Sequence, residues 1–451
     1  YRQKIILATH ATSAGKLQVY VGTVTGGTTN SISWGSAQDL QTSNGDYVKV
    51  AYDPVSYQTM VMWSNGGALK AYIVTEDGDN TVTVGSVLTI TNANGDSTND
   101  IDTDLINVGE RKWVVVYKNA STGYLESRVL TTSGTTISEQ TATTIRSADN
   151  GRMAIAVNTE TMGAYAANTR LVYFMAQNSS ADMHIVGATI DGNSISSVGT
   201  IHDTNGAFQM TGGSAVYDPE SNRFCCASVN TTGGGGRLHS CTLDGSDNSI
   251  ENFAYGGAFE SGSTTTTIKV LAELGKVHIC YGDRGDGTKG KIVDASINSG
   301  TGSATFGTQQ VFFDSTLHFS NSPRSSNVDL GFAFDSDTNR FIAVYSDDAT
   351  NDGFSVVGSL VGSKAITTTT MPSDGESYIG IATKTVADDG QVEVATFGQI
   401  DAQQSGLTTG QKYFVQSDGS LATSADSSGL SSGVTIVAGK ALSATKLLIS
   451  E

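Results

Sequence analysis

The sequence predicts an all-β chain: a seven-bladed β-propeller of four-stranded blades over residues 1–372, with a small C-terminal β-barrel or sandwich over 373–451. Two periodic features carry this reading. Seven glycines, Gly26, Gly78, Gly134, Gly192, Gly245, Gly300 and Gly362, recur at intervals of 52 to 62 residues, each after a short apolar strand. Upstream of most of them lies a second apolar run, rich in β-branched and aromatic residues and bounded by Gly, Asn, Asp and Ser. Such runs read as strands, and self-similarity at this spacing marks a repeat architecture. Propellers typically have about four to eight blades, so seven repeats fit.

The first strand of a repeat is legible in Tyr47–Asp53, Gly213–Asp218 and Asp329–Asp335. The second is the apolar run: Thr59–Trp63, Trp113–Tyr117, Leu171–Met175, Phe224–Ser228, Val277–Tyr281 and Phe341–Tyr345. The third leads into the periodic glycine, as in Tyr72–Gly78 and Val186–Gly192. The fourth is more polar: Ser31–Gly35, Thr81–Gly85, Ser194–Gly199 and Ser303–Gly307. A polar outermost strand suits an edge that must meet water and resist pairing with other chains. Because Lys4–Ala8 aligns with strand two, the first blade is expected to lack its first strand, which lies upstream of Tyr1 or is supplied from the C-terminal side.

Turns between strands one and two place Asp at the strand end: Asp53, Asp218 and Asp335. Asp bonds its own backbone two residues on, and Asn accepts left-handed geometry, so these read as hairpin turns. Asp335, Asp337 and Asn339 also have the alternating spacing of a calcium loop, but no bidentate Glu follows and no Gly marks the bend. No metal site and no cofactor is expected.

Composition narrows function. Net charge is −18 and charged residues make up 16%, below the usual quarter. This balance disfavours nucleic acid and anionic membrane surfaces as partners. No apolar run is long enough for a membrane-spanning helix. Cys225 and Cys226 face opposite sides of one strand, and Cys241 lies on the next strand of that blade. A Cys226–Cys241 or Cys225–Cys241 cross-link is one reading, and buried free thiols, Cys280 included, are the favoured one. His10, His184, His202, His239, His278 and His318 are scattered, with no two at ligand spacing. His278, inside a core strand, is expected to bond a neighbour.

No nucleophile elbow, Walker loop or His-Glu-x-x-His is present. Asp102/Asp104 and Asp347/Asp348 are the acid pairs that a glycosidase reading would use, and on a chain this acidic they read as surface acids. Trp34, Trp63 and Trp113 lie within strands and offer no exposed stacking platform. Arg284-Gly285-Asp286 reads as part of a Gly-rich hairpin. No catalytic residue is assigned, no binding residue is identified, and the chain is expected not to be an enzyme.

The C-terminal stretch has short strands separated by Asp-Gly and Gly turns. Its order, Ile379-Gly-Ile-Ala382, Asp389-Gly390, Val392-Glu-Val394, Gly406-Leu-Thr-Thr-Gly410, Asp418-Gly-Ser-Leu421 and Gly439-Lys-Ala-Leu-Ser443, resembles the C-terminal module of tail-fibre and other virion proteins of tailed bacteriophages. The preceding repeats, with turns such as Tyr217-Asp-Pro-Glu-Ser-Asn-Arg-Phe224, are similar to those found upstream of that module. The resemblance implies a non-enzymatic virion structural protein on the particle surface, outside the cell. Such a tail fibre or appendage attaches to a host-surface glycan or protein, docks to other virion proteins and forms a homo-oligomer, with a trimer as the expectation. A capsid decoration or head-fibre protein and a glycan-binding or glycan-degrading propeller are the alternatives.

Overall fold

In a computed structural model the chain divides into two compact units, Tyr1–Gly362 and Ser363–Glu451. The structure describes residues 4–11, 16–25, 31–41, 46–65, 67–78, 80–95, 103–148, 150–161, 169–177, 182–204, 210, 213–229, 235–261, 265–273, 275–283, 289–313, 330–335, 340–346, 353–358, 381–382, 394–395, 400–401, 405–416, 421–424 and 437–449.

The first unit is a succession of antiparallel sheets. Sheet one holds β1 (Lys4–Ala11), β2 (Lys16–Thr25), β3 (Ser31–Trp34) and β4 (Gln38–Gln41). Sheet two holds β5 (Asp46–Asp53), β6 (Gln58–Asn65), β7 (Gly67–Glu76), β8 (Val82–Val84) and β9 (Leu88–Gly95). Sheet three holds β10 (Thr103–Gly109), β11 (Lys112–Lys118), β12 (Leu125–Ser133), β13 (Thr136–Glu139) and β14 (Thr143–Arg146). Sheet four holds β15 (Asn150–Val157), β16 (Thr169–Gln177), β17 (Met183–Asp191), β18 (Ser194–Val198) and β19 (His202–Asp203). Sheet five holds β20 (Gly213–Asp218), β21 (Arg223–Val229), β22 (Gly236–Leu243) and β23 (Ile250–Ala258). Sheet six holds β24 (Thr265–Glu273), β25 (Lys276–Asp283), β26 (Lys289–Ile297), β27 (Ala304–Phe306) and β28 (Gln310–Phe313). Sheet seven holds β29 (Leu330–Asp335), β30 (Arg340–Ser346) and β31 (Gly353–Gly358). Among the described residues there is no α-helix, only a 3-10 turn at Thr159–Thr161.

The leading strands touch in chain order, β1 to β5, β5 to β10, and so on to β29, and β29 touches β1. The fold is a β-propeller. Among the described residues sheet one starts at β1, the counterpart of β6, and β1 itself meets both β5 and β29.

Second strands read as unbroken apolar runs because both of their faces are buried. Trp113, Val115 and Tyr117 of β11 pack toward sheet two with Met60, Met62 and Ile73. Val114 and Val116 pack toward sheet four with Ile155, Leu171 and Tyr173. Burial of each such side chain contributes about 1.5–3 kcal/mol, so the interfaces between sheets are the core.

The fourth strand departs from the expected single element. In sheets one, two, three, four and six it is split into two short pieces on one edge of the third strand. The break falls where Gly35, Gly85, Gln140, Gly199 or Gly307 turns its N–H onto the third strand, as Gly85 does to Ile73 O at 2.8 Å. Three of these glycines also admit the outer turn of the next sheet. A Cβ on Gly35 would lie 2.7 Å from Asn80 O, on Gly85 2.1 Å from Thr135 O, and on Gly199 2.3 Å from Asn248 O.

The periodic glycines have a related role. Gly134 and Gly192 occupy left-handed positions (φ 58° and 60°) in tight third-to-fourth-strand hairpins. Their carbonyls, with those of Gly245 and Gly300, accept hydrogen bonds from the start of the second strand one sheet earlier. Gln58 Nε2 reaches Gly134 O at 2.6 Å, Lys112 Nζ reaches Gly192 O at 2.8 Å, and Arg170 Nη2 reaches Gly245 O at 2.9 Å. Arg223 is fully buried and the most engaged. It donates to Ser299 O, Gly300 O, Asn252 O and Ser240 Oγ at 2.8–3.3 Å.

The second unit contains a two-stranded ladder, β32 (Ile381–Ala382) with β33 (Val394–Ala395), and one five-stranded sheet. That sheet comprises β34 (Ile400–Asp401), β35 (Lys412–Val415), β36 (Leu421–Ala422), β37 (Val437–Ser443) and β38 (Lys446–Ile449), in the order β34-β38-β37-β35-β36. Tyr413, Val415, Ala438, Ala441 and Leu447 form its buried side.

Candidate functional site

The β5–β6 hairpin gathers exposed apolar and aromatic side chains on one element: Val50, Tyr52, Val55 and Tyr57, with Val55 62% and Tyr52 52% exposed. Asp53 fixes the turn. Its Oδ1 accepts the Val55 N–H at 3.0 Å, and its Oδ2 accepts the Ser56 hydroxyl and, at 2.7 Å, the Arg111 N–H of the next sheet. Tyr57 sits at φ 57°, in the left-handed region. The matching position before β21 is Asn222 at φ 55°, a residue that tolerates this geometry. A tyrosine there costs about 1–2 kcal/mol of backbone strain.

A second polar group lies among the leading strands. Lys49 Nζ on β5 is 3.5 Å from Asp104 Oδ1 on β10, and Asp104 Oδ2 accepts the Ile155 N–H of β15 at 3.0 Å. Lys269 on β24 feels both groups. Burial foremost, then repulsion from Lys49, holds its amine down to about 8, and Asp104 partly offsets this.

The residues singled out in the sequence do not converge. Asp53, Asp218 and Asp335 end their strands opposite Gln58, Arg223 and Arg340, the geometry of hairpins. Asp218 accepts the Ser221 hydroxyl at 2.6 Å. Asp337 and Asn339 lie outside the described residues, as do Asp102, Asp347, Asp348, His318 and the Arg284-Gly285-Asp286 tripeptide. His10 lies on β1, with its side chain outside what is described. Asp104 is engaged by Lys49 and the Ile155 N–H rather than by a second acid. Among the described residues no three His, Cys, Asp or Glu side chains are grouped to hold a metal ion.

The four cysteines are free and buried, with Cys226 and Cys241 in one core cluster and Cys225 in the next. Burial pushes the Cys241 thiol up to about 12. His278 Nε2 lies 3.1 Å from Glu273 O. His184 Nε2 lies 3.4 Å from Asp203 Oδ1, and its imidazole is held below its ordinary range by burial and by Arg146. His239 stacks on Phe253 and is held down to about 3, mainly by burial. Trp63 and Trp113 are fully buried, whereas Trp34 is half-buried. Tyr57 is an exposed aromatic position that the sequence reading missed, as are Tyr124 and Tyr255, and it alone of the three has a left-handed backbone. Its one signal is a bulky residue where turn chemistry favours Asn.

No family model matches the chain, and no curated protein matches it. Solved structures do. A BP39L lectin from Burkholderia pseudomallei is similar at 12% identity and a TM-score of 0.50, over 80% of this chain and 98% of that one. A putative 6-phosphogluconolactonase from Bacteroides fragilis is similar at 10% identity and a TM-score of 0.43, over 79% and 96%. The β-propeller domain of Cps50 (Swd1) from Myceliophteria thermophila is similar at 7% identity and a TM-score of 0.42, over 79% and 100%. At such identities a likeness establishes the fold alone. Lectin and enzyme neighbours stand side by side and do not decide for or against catalysis.

Proposed function

We propose that the protein is a non-enzymatic attachment protein of a bacteriophage virion, a tail fibre or appendage whose seven sheets act as blades of a rigid display platform. In this reading the β5–β6 hairpin meets a host-surface glycan or protein, and the second unit serves assembly with other virion chains into a homo-oligomer. The observation that carries the reading is Tyr57. It is an exposed aromatic ring held in a backbone conformation that Asn or Gly would adopt at lower cost. Strain retained at an exposed position is a pointer to function. Tyrosine supplies contact area with little loss of side-chain freedom, and exposed apolar clusters on soluble proteins mark interaction sites.

The test is a pair of measurements on Tyr57→Gly. Relief of strain should raise unfolding stability by about 1 kcal/mol, while binding to an array of bacterial surface polysaccharides or to host cells should fall at least tenfold. Unchanged binding would remove the hairpin from the contact. Cryo-electron microscopy of the source particle tests the location. Density at the tail supports an attachment role, and density over the capsid shell would make the chain a decoration protein.

A further inference from the structure

We propose that the polar group at one end of the interface between sheets five and six binds a neutral, hydroxyl-bearing ligand, a saccharide presenting a vicinal diol. This goes beyond the attachment reading, which concerns the β5–β6 hairpin, and does not depend on it.

Three strands and two connections build the group. Tyr281 and Asp283 lie at the end of β25, Lys291 on β26, and Thr265 at the start of β24. Glu260 follows β23 and Gln309 precedes β28. Lys291 Nζ donates to Asp283 Oδ2 at 2.6 Å and to Glu260 Oε2 at 3.4 Å. The same Oε2 accepts the Tyr281 hydroxyl at 3.0 Å and Gln309 Nε2 at 3.2 Å. Tyr281 is fully buried, and Thr265, Asp283 and Lys291 are each more than nine-tenths buried. Burial disfavours the Lys291 charge, but the bonds to Asp283 and Glu260 outweigh it and hold the amine above its ordinary range.

Thr265 is the member that points to a ligand. It is 2% exposed, and its hydroxyl has no hydrogen-bond partner among the described residues. It stands directly opposite Asp283 in the β24–β25 ladder. That places both side chains on one face, with Cβ atoms about 4.5–5.5 Å apart. Sheet three supplies the comparison. Thr103 opens β10 opposite Tyr117, and its hydroxyl donates to Val116 O at 2.8 Å. The matching carbonyl for Thr265 is that of Gly282, and this bond is not made. The β24 register breaks after Thr265 and resumes at Ile268, an irregularity of the kind that re-aims a side chain beside a site. A buried hydroxyl is costly to leave unpaired, so a ligand that engages it is favoured.

The charges of the group select the ligand. An anion would face Asp283 and Glu260, and a cation would face Lys291, so each meets its own sign. Lys289, half-buried opposite Asp283 on β26, adds to the repulsion of a cation. A neutral diol meets neither obstacle. One hydroxyl donates to the Asp283 carboxylate, while its neighbour accepts from Lys291 and shares a hydrogen bond with Thr265. Gln309 is exposed and holds both Glu260 and, at 2.6 Å, Phe259 O. Rotation of this one side chain opens Glu260 to solvent.

Isothermal titration of the intact chain with methyl α-mannopyranoside and, separately, with methyl β-galactopyranoside tests the site. Millimolar binding by at least one is expected. Thr265→Val removes the hydroxyl and keeps the shape, so it should weaken binding at least about tenfold. Its melting temperature should stay level or rise, because an unpaired buried hydroxyl is lost. Thr265→Ser keeps the hydroxyl and should retain binding. Tyr57→Gly should bind both sugars as wild type does, which separates this site from the hairpin. Absence of binding by both sugars would overturn the proposal, as would wild-type affinity in Thr265→Val. A lowered melting temperature in Thr265→Val would also count against it, since the hydroxyl would then have a partner within the fold.

Discussion

Trp34 of β3 donates its indole N–H to Ser355 Oγ of β31 at 3.1 Å, joining sheet one to sheet seven. The same ring packs over Gly22, where a Cβ would lie 2.7 Å from it. With the contact between β1 and β29, this is where the sheet succession meets its own beginning. Trp34→Phe keeps most of the packing and loses the hydrogen bond, an expected cost of about 1 kcal/mol. Trp34→Ala should cost about 3 kcal/mol. Equal denaturant midpoints for wild type and Trp34→Ala would show that the join carries no weight.

The cross-links at the second-strand starts differ in burial, so their removal should differ in effect. Arg223→Met leaves buried acceptors without donors and should cost about 3 kcal/mol. Arg223→Lys should recover only part, because one ammonium cannot match a fixed guanidinium fork. Lys112→Met removes one solvent-facing bond and should cost about 0.5 kcal/mol. Urea denaturation of the three variants orders them, and a loss at Lys112 equal to that at Arg223 would contradict the account.

Two glycines separate crowding from backbone strain. Gly85→Ala drives a methyl to 2.1 Å from Thr135 O, so the neighbouring sheet must move. Gly78→Ala meets nothing within 4 Å and bears only its φ of 94°. The first should lower stability by more than about 2 kcal/mol and the second by about 1. Thermal unfolding of both proteins decides.

His239 sets an acid limit. The unfolded imidazole takes up its proton near 6.5, the folded one only near 3. Throughout that window the unfolded chain holds the extra proton, so stability falls as pH falls. The slope from this residue approaches about 1.4 kcal/mol per pH unit. His239→Gln should flatten the stability profile between pH 6 and 5, where few carboxylates titrate. A profile with unchanged slope would assign the acid sensitivity elsewhere.

Strand positions were legible because two-sided burial writes itself into sequence, as in Trp113-Val-Val-Val-Tyr117. The glycine period was legible too, but its reason was not. A carbonyl at Gly192 that receives Lys112 is a relation between sheets, and nothing local to either residue announces it. The split of the fourth strand at Gly85 was hidden likewise, since the crowding atom belongs to Thr135 on the next sheet. Asp104 was read only as one of a pair of surface acids, because its partner Lys49 shares no motif with it and reaches it from the neighbouring sheet. Tyr57 stood beside a recognised turn, Tyr52-Asp-Pro-Val55, and was passed over because its significance lies in a backbone angle.

The bonds from Gln58, Lys112, Arg170 and Arg223 all point from an earlier sheet to a later one. This gives the ring a direction that matters while the chain is being made. A sheet leaving the ribosome cannot satisfy its own grip until the following hairpin emerges, so locking trails synthesis by one repeat. Chains halted after successive sheets are expected to protect every sheet but the last from protease. Equal protection of the last sheet in such a series would mean that each repeat matures alone.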